Sequence, residues 1–141
     1  MNPRVTEKAH IIRSERIAFR LEDMSEPIVD ENCVFCAIVA GKIPAAVVAR
    51  TDDVIAFEDI HPQAEVHVVV TPTTHAFRNV TELASDPKLL AEMVTVSSQI
   101  AHDRAGGQFR LIFNTGERAG QTVFHVHAHV LAGDLSESRL A

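Results

Sequence analysis

Hydrophobic and polar positions alternate most regularly in Phe124-His125-Val126-His127-Ala128-His129-Val130-Leu131. A period of two is that of a β-strand, whose successive side chains point to opposite faces. The spacing predicts a strand over Val123 to Leu131, with His125, His127 and His129 on one face. Phe124, Val126, Ala128 and Val130 then lie on the other, against a core. Shorter apolar runs predict four more strands. Val47 to Arg50 and Val54 to Glu58 flank a Thr51-Asp52-Asp53 turn, and Val66 to Thr71 is a β-branched run closed by Pro72. The last is Phe109 to Asn114. Helical spacing appears in two places. Leu89, Leu90, Met93, Val94, Val96 and Ile100 follow an Asp86 N-cap and Pro87, and the helix should stop near Arg104 before Gly106-Gly107. A short helix over Ala37 to Ala40 stops at Gly41, and Thr73-Thr74-His75 opens a loop around Val80.

These elements predict one α+β domain, an antiparallel-leaning sheet of about five strands with one long helix and a short N-terminal one. The boundaries are an extension over residues 1–32, polar and with only a weak helical pattern at Ala9 to Leu21, and a domain over 33–141. Composition narrows the picture. A formal net charge of −6 leaves no broad electrostatic footprint for nucleic acid, so an anionic ligand needs local donors. Trp and Tyr are absent, which argues against stacking platforms for long single strands. No apolar run is long enough to span a membrane and no signal-peptide pattern opens the chain, so a soluble, cytoplasmic protein is expected.

Three groups of residues can carry chemistry. Adjacent imidazoles of one strand face disfavour one another's protonation, so at least one of His125, His127 and His129 should be neutral near pH 7. It would then serve as nucleophile, base or ligand. His67 on its own strand suits either a core histidine or an orienting partner brought beside His127. Cys33-x-x-Cys36 is a metal half-site, a redox pair or a coincidence. No strand precedes it as in a thioredoxin-like unit, and zinc would need two further ligands, for which His75 and His125 are candidates. Spacing leaves zinc and two free buried thiols equally open. The loop from Asn114 through Gly116 and Gly120 to Gln121 and Thr122 could bring backbone N–H groups to an anion, although most such loops are plain turns.

The motif Gly120-Gln-Thr-Val-Phe-His-Val-His-Ala-His-Val resembles the histidine-triad (HIT) family. Cys33-Val-Phe-Cys-Ala-Ile-Val-Ala-Gly-Lys-Ile-Pro, Ala56-Phe-Glu-Asp-Ile-His-Pro-Gln-Ala and Val66-His-Val-Val-Val-Thr-Pro extend the resemblance over Cys33 to Gly133. The short tail is similar to the Hint branch, whose members are nucleoside phosphoramidate hydrolases. The resemblance implies the HIT fold and a role for each matched position. His127 matches the nucleophile that takes a nucleotidyl group from a nucleoside 5′-phosphoramidate, with His129 and His67 as site partners. Asn114, Gly120, Gln121, Thr122 and the Val123 amide match phosphate contacts, Thr122 standing where the family often has Ser. Asp59 matches the ribose contact, and Val34, Phe35, Ile38, Phe57 and Ile60 match the apolar slot around the base. Cys33, Cys36, His75 and His125 match the zinc ligands of some bacterial relatives, a structural site. A homodimer is implied as well. The implied activity is hydrolysis of a purine nucleoside phosphoramidate to AMP. Its competitors are a dinucleoside polyphosphate hydrolase or nucleotidylyl transferase on the same fold, and a nucleotide- or zinc-binding module with negligible turnover.

Overall fold

A computed structural model describes residues 27–138 of the chain. The weak helical pattern at Ala9 to Leu21 and all of the extension before residue 27 lie outside the described residues. In chain order the elements are α1 (Val34–Val39), β1 (Val47–Arg50), β2 (Val54–Glu58), β3 (Val66–Pro72), α2 (Val80–Leu83), α3 (Pro87–Ala105), β4 (Arg110–Ile112) and β5 (Ala128–Ala132). The strands form one antiparallel sheet in the order β1-β2-β3-β5-β4. This is the α+β architecture expected from the pattern.

Period two divides the sheet into two faces. Val54, Ala56, Val66, Val68, Val70, Ala128, Val130 and Ala132 turn one way, where Leu89, Met93, Val96 and Ile100 of α3 cover them. Ile55, Phe57 and Val69 turn the other way, under Phe35 and the two cysteines of α1. β3 is therefore covered on both faces along its whole length, which explains a nearly unbroken β-branched run in place of alternation. α3 starts where Asp86 Oδ1 accepts the Leu89 N–H at 3.1 Å, with Pro87 in the first turn, and stops at Gly106, whose φ of 62° is left-handed.

Several expectations are corrected. The short helix runs over Val34–Val39 and so starts three residues before Ala37, because Cys33 Sγ accepts the Cys36 N–H and caps it there. Asn79 caps a short helix, α2, where a loop was expected, its side chain accepting the Glu82 N–H. β4 is three residues long, shorter than Phe109 to Asn114. β5 begins at Ala128, so His125 and His127 precede the strand. The cause of the last is Pro72, which has no N–H to extend the ladder with Val126. The Val126 carbonyl instead accepts from Thr71 Oγ1 at 2.7 Å, and its N–H donates to the Phe77 carbonyl at 3.0 Å. Side-chain alternation survives without the ladder: Val126 is 1% exposed and His125 fully buried on opposite sides. Phe124 departs from it, being 41% exposed rather than in the core.

Candidate functional site

The three histidines lie on the α1 face of the sheet, and each is held by a different partner. His127 Nδ1 is 2.9 Å from the His125 carbonyl oxygen. A carbonyl only accepts, so Nδ1 carries the proton and, in the neutral ring, Nε2 carries the lone pair. Phe35 packs edge-on against that ring at 4.9 Å between centroids. Burial pushes the His127 pKa below the usual histidine value, opposed by the His125 carbonyl bond and the Asp59 charge. Among the described residues Nε2 has no protein partner. The result is a neutral ring whose Nε2 lone pair is unclaimed among the described residues.

His125 belongs to a closed cluster. Cys33 Sγ is 3.4 Å and Cys36 Sγ 3.6 Å from His125 Nδ1, while Cys36 Sγ is 3.5 Å and His125 Nδ1 3.1 Å from His75 Nδ1. A zinc ion with bonds of about 2.3 Å to sulfur and about 2.0 Å to nitrogen would hold tetrahedral ligands about 3.3 to 3.8 Å apart. The outer nitrogens agree with this. His125 Nε2 is 2.8 Å from the Pro72 carbonyl, so it carries the proton and leaves the Nδ1 lone pair facing the sulfurs. His75 Nε2 faces Asp30 Oδ2 at 3.7 Å, and the Asp30 N–H donates to Cys36 Sγ at 3.4 Å. All four donor atoms lie within 4.8 Å of one another, and the donor set fits a structural metal ion. Burial pushes the Cys36 thiol up, so as a thiolate it needs a cation beside it. Burial likewise takes His125 down to about 4, against the Pro72 bond and helped by His75 and His127.

His129 meets His67, with Nδ1 and Nε2 2.9 Å apart. The expectation that His67 would lie beside His127 is corrected by the register: Val69 pairs with His129 and His67 with Leu131, which places His67 diagonal to His129 on the same face. Asp59 Oδ2 is 3.3 Å from His67 Nε2 and 4.0 Å from His129 Nδ1. Burial holds the His129 pKa at about 4, with His127 and His67 lowering it further and Asp59 opposing. His129 and His67 both border an open cleft of about 580 Å³ that Asn114, Ile112 and Gln63 also line.

The remaining expected residues divide. Phe35 and Phe57 meet edge to face at 5.5 Å, and Ile38 and Val123 pack on the same cluster. Val34 is 40% and Ile60 85% exposed, both open to a ligand. Gly120 turns the loop at φ 90°, and Thr122 is exposed. Gln121 is used differently from a phosphate donor. Its side chain accepts the Gly116 N–H and donates to the Arg78 and Val123 carbonyls, so it braces the loop from inside. The backbone partners behind the rings, at Pro72, Gln63 and His125, carry no side-chain signal a sequence could display. Asp30 could have been suspected only from its nearness to Cys33.

The profile of the family described as "Scavenger mRNA decapping enzyme C-term binding" matches residues 32–141. A purine nucleoside phosphoramidase of Escherichia coli is 36% identical, over 73% of this chain and 88% of that protein. An uncharacterized HIT-like protein of Synechocystis is 39% identical, over 73% and 91%. Among solved structures, a HIT family hydrolase of Clostridium thermocellum superposes with a TM-score of 0.74 at 38% identity, covering 80% of this chain and all of that one. A HIT family hydrolase of Legionella pneumophila has a TM-score of 0.70 at 36% identity over 74% and 95%. With three alternating histidines on one sheet face, Phe35 packed edge-on beside them and relatives matched over most of their own length, the chain belongs to the histidine-triad family.

Proposed function

We propose that the chain is a hydrolase cleaving the P–N bond of purine nucleoside 5′-phosphoramidates, with AMP as the product from adenosine 5′-phosphoramidate. His127 Nε2 attacks the α-phosphorus and the P–N bond breaks. The amine leaves with one proton and the nucleotide stays on His127. Water then attacks the phosphorus, the bond to His127 breaks, and the proton consumed in the first step is returned. The observation that carries this reading is the His127 Nδ1 contact to the His125 carbonyl, which leaves Nε2 as the bare nitrogen of a ring that burial keeps neutral. The name of the Escherichia coli relative supports the substrate class. Phe35 and Phe57 supply an apolar wall for the base, Asp59 a carboxylate for the ribose, and Asn114, Thr122 and the backbone from Gly120 to Val123 donors for the phosphate.

Cys33, Cys36, His75 and His125 would hold a zinc ion, whose contribution is a structural cross-link between α1 and the sheet with no open coordination position. In the same reading two copies pair by two-fold symmetry in the cytoplasm, the short β4 lying at a free edge of the sheet. The test is steady-state turnover of adenosine 5′-phosphoramidate beside a diadenosine polyphosphate, with His127→Ala as control. The expected result is faster cleavage of the phosphoramidate, and a variant that binds AMP yet turns over neither substrate. Faster cleavage of the polyphosphate, or no turnover by the wild type, overturns the assignment.

A further inference from the structure

Cys33 and Cys36 meet across the first turn of α1, and that turn fits them for a second chemistry besides holding a cation. Cys33 is the N-cap residue, and its Sγ folds back to accept the Cys36 N–H at 3.5 Å. Between the N-cap and the third helical position the Cα atoms of an α-helix stand about 5 Å apart. Disulfides span Cα separations of about 4.4 to 6.8 Å, so the pair can be bridged without unwinding the turn. The two sulfurs converge on one nitrogen, His125 Nδ1, at 3.4 and 3.6 Å, and lie within 4.8 Å of each other. The chain has two cysteines in all, so each is the other's only partner within it. Their cover is thin. Residues 27–32 are exposed, and among them the Asp30 N–H rests directly on Cys36 Sγ at 3.4 Å.

We infer that Cys33 and Cys36 form a reversible disulfide, with hydrogen peroxide as the oxidant, which excludes the metal ion and shifts Phe35 against His127. One thiolate attacks a peroxide oxygen, the O–O bond breaks, hydroxide leaves and a sulfenic acid forms. The second thiolate attacks that sulfur, the S–O bond breaks and a second hydroxide leaves. Two electrons pass from the sulfurs to the peroxide, and a thiol reductant returns them. The bridged chain has lost two of its four donors, and two imidazoles do not close a tetrahedral site. Phe35 is one of the two residues between the cysteines. Its ring packs edge-on against His127 at 4.9 Å and against Phe57 at 5.5 Å. Sulfurs sharing a zinc ion stand about 3.8 Å apart, whereas a disulfide bond is about 2.05 Å long. The first turn of α1 takes up the difference, and Phe35 rides on that turn.

The test treats the zinc-loaded full chain with hydrogen peroxide, then with a thiol reductant and fresh zinc. Peroxide should remove both thiols, give a Cys33–Cys36 bridge in the peptide map and release one zinc ion per chain to a colorimetric chelator. The nuclear Overhauser contact between the Phe35 and His127 rings should be lost with it. All four changes should reverse on reduction, which separates the bridge from methionine sulfoxide, since that needs its own reductase. Disulfides between chains, sulfinic acid in place of the bridge, or zinc retained beside intact thiols overturn the site. A bridge that leaves the Phe35–His127 contact unchanged refutes the link to His127. One further readout rests on the function proposed above: AMP should bind the oxidised chain about 10-fold more weakly than the reduced one. Equal affinities would refute the link as well. Failure of AMP to bind either form counts against that function alone, because the other readouts involve no nucleotide.

Discussion

Two histidine pairs on one sheet face look alike from the front and differ behind. His125 and His75 meet at 3.1 Å, and His129 and His67 at 2.9 Å, each pair with a carboxylate nearby. Behind His125 stands the Pro72 carbonyl, which holds a proton on the outer nitrogen and turns a lone pair inward to the cysteines. Behind His67 stands the Gln63 N–H, which does the reverse and turns a proton inward. The first pair is thereby prepared for a cation and the second for hydrogen-bond donation. His127 lies between them in sequence, its own tautomer set by the backbone of His125. The main chain, more than the identity of the rings, assigns the chemistry.

The largest way to separate the two clusters is Cys36→Ser. It removes a ligand from the closed cluster and should cost about 3 kcal/mol or more of the metal-loaded protein's stability, a fall in Tm of roughly 10 °C. Asp59→Asn, in the other cluster, should cost about 1 kcal/mol or less. Urea unfolding of both variants checks the contrast, and equal losses would erase it.

Acid should act next. His125 and His129 titrate at about 4 in the fold, below the ordinary value of 6.5. Between those values the unfolded chain binds protons that the folded chain does not, so stability is full above about 6.5 and declines as pH falls toward 4. In the metal-loaded protein, protons must also displace the cation from Cys36 and His75, so its decline should be the steeper of the two. Unfolding curves at pH 7 and pH 5, with and without a chelator, measure the difference.

Thr71→Val tests the scaffold the clusters share. It leaves the buried Val126 carbonyl without the hydroxyl that holds it at 2.7 Å, at a cost of about 1 to 3 kcal/mol. Because Val126 lies between His125 and His127, metal affinity and turnover should fall together. A loss of only one would show that the two sites are held independently. Asp30→Asn is the mildest change. It weakens the charge behind His75 and should reduce zinc affinity by about 10-fold in a competition titration, with turnover at saturating zinc unaltered.

Much of this arrangement was legible from the chain. Alternation through Val126, Ala128 and Val130 placed the histidines opposite the helix-covered face, and Cys33, Cys36, His75 and His125 do converge. What escaped is what depends on pairing over distance or on the backbone. The partner of His67 follows from the β3–β5 register, which no local pattern encodes, and a one-step argument placed it beside His127 instead of His129. The late start of β5 follows from a proline more than fifty residues earlier, across the sheet. Gln121 has a side chain suited to phosphate, but three bonds within its own surroundings occupy it. Tautomers were beyond reach altogether, since the groups that set them are peptide units common to every residue.

The division of labour between the clusters is tested most directly by titrating the metal-free chain with cobalt(II) and following its absorption. The account predicts saturation at one ion per chain, with thiolate charge transfer and the strong visible bands of a tetrahedral site, both lost in Cys36→Ser. A second ion held by His67, His129 and Asp59, or a first that binds without thiolate bands, would contradict it.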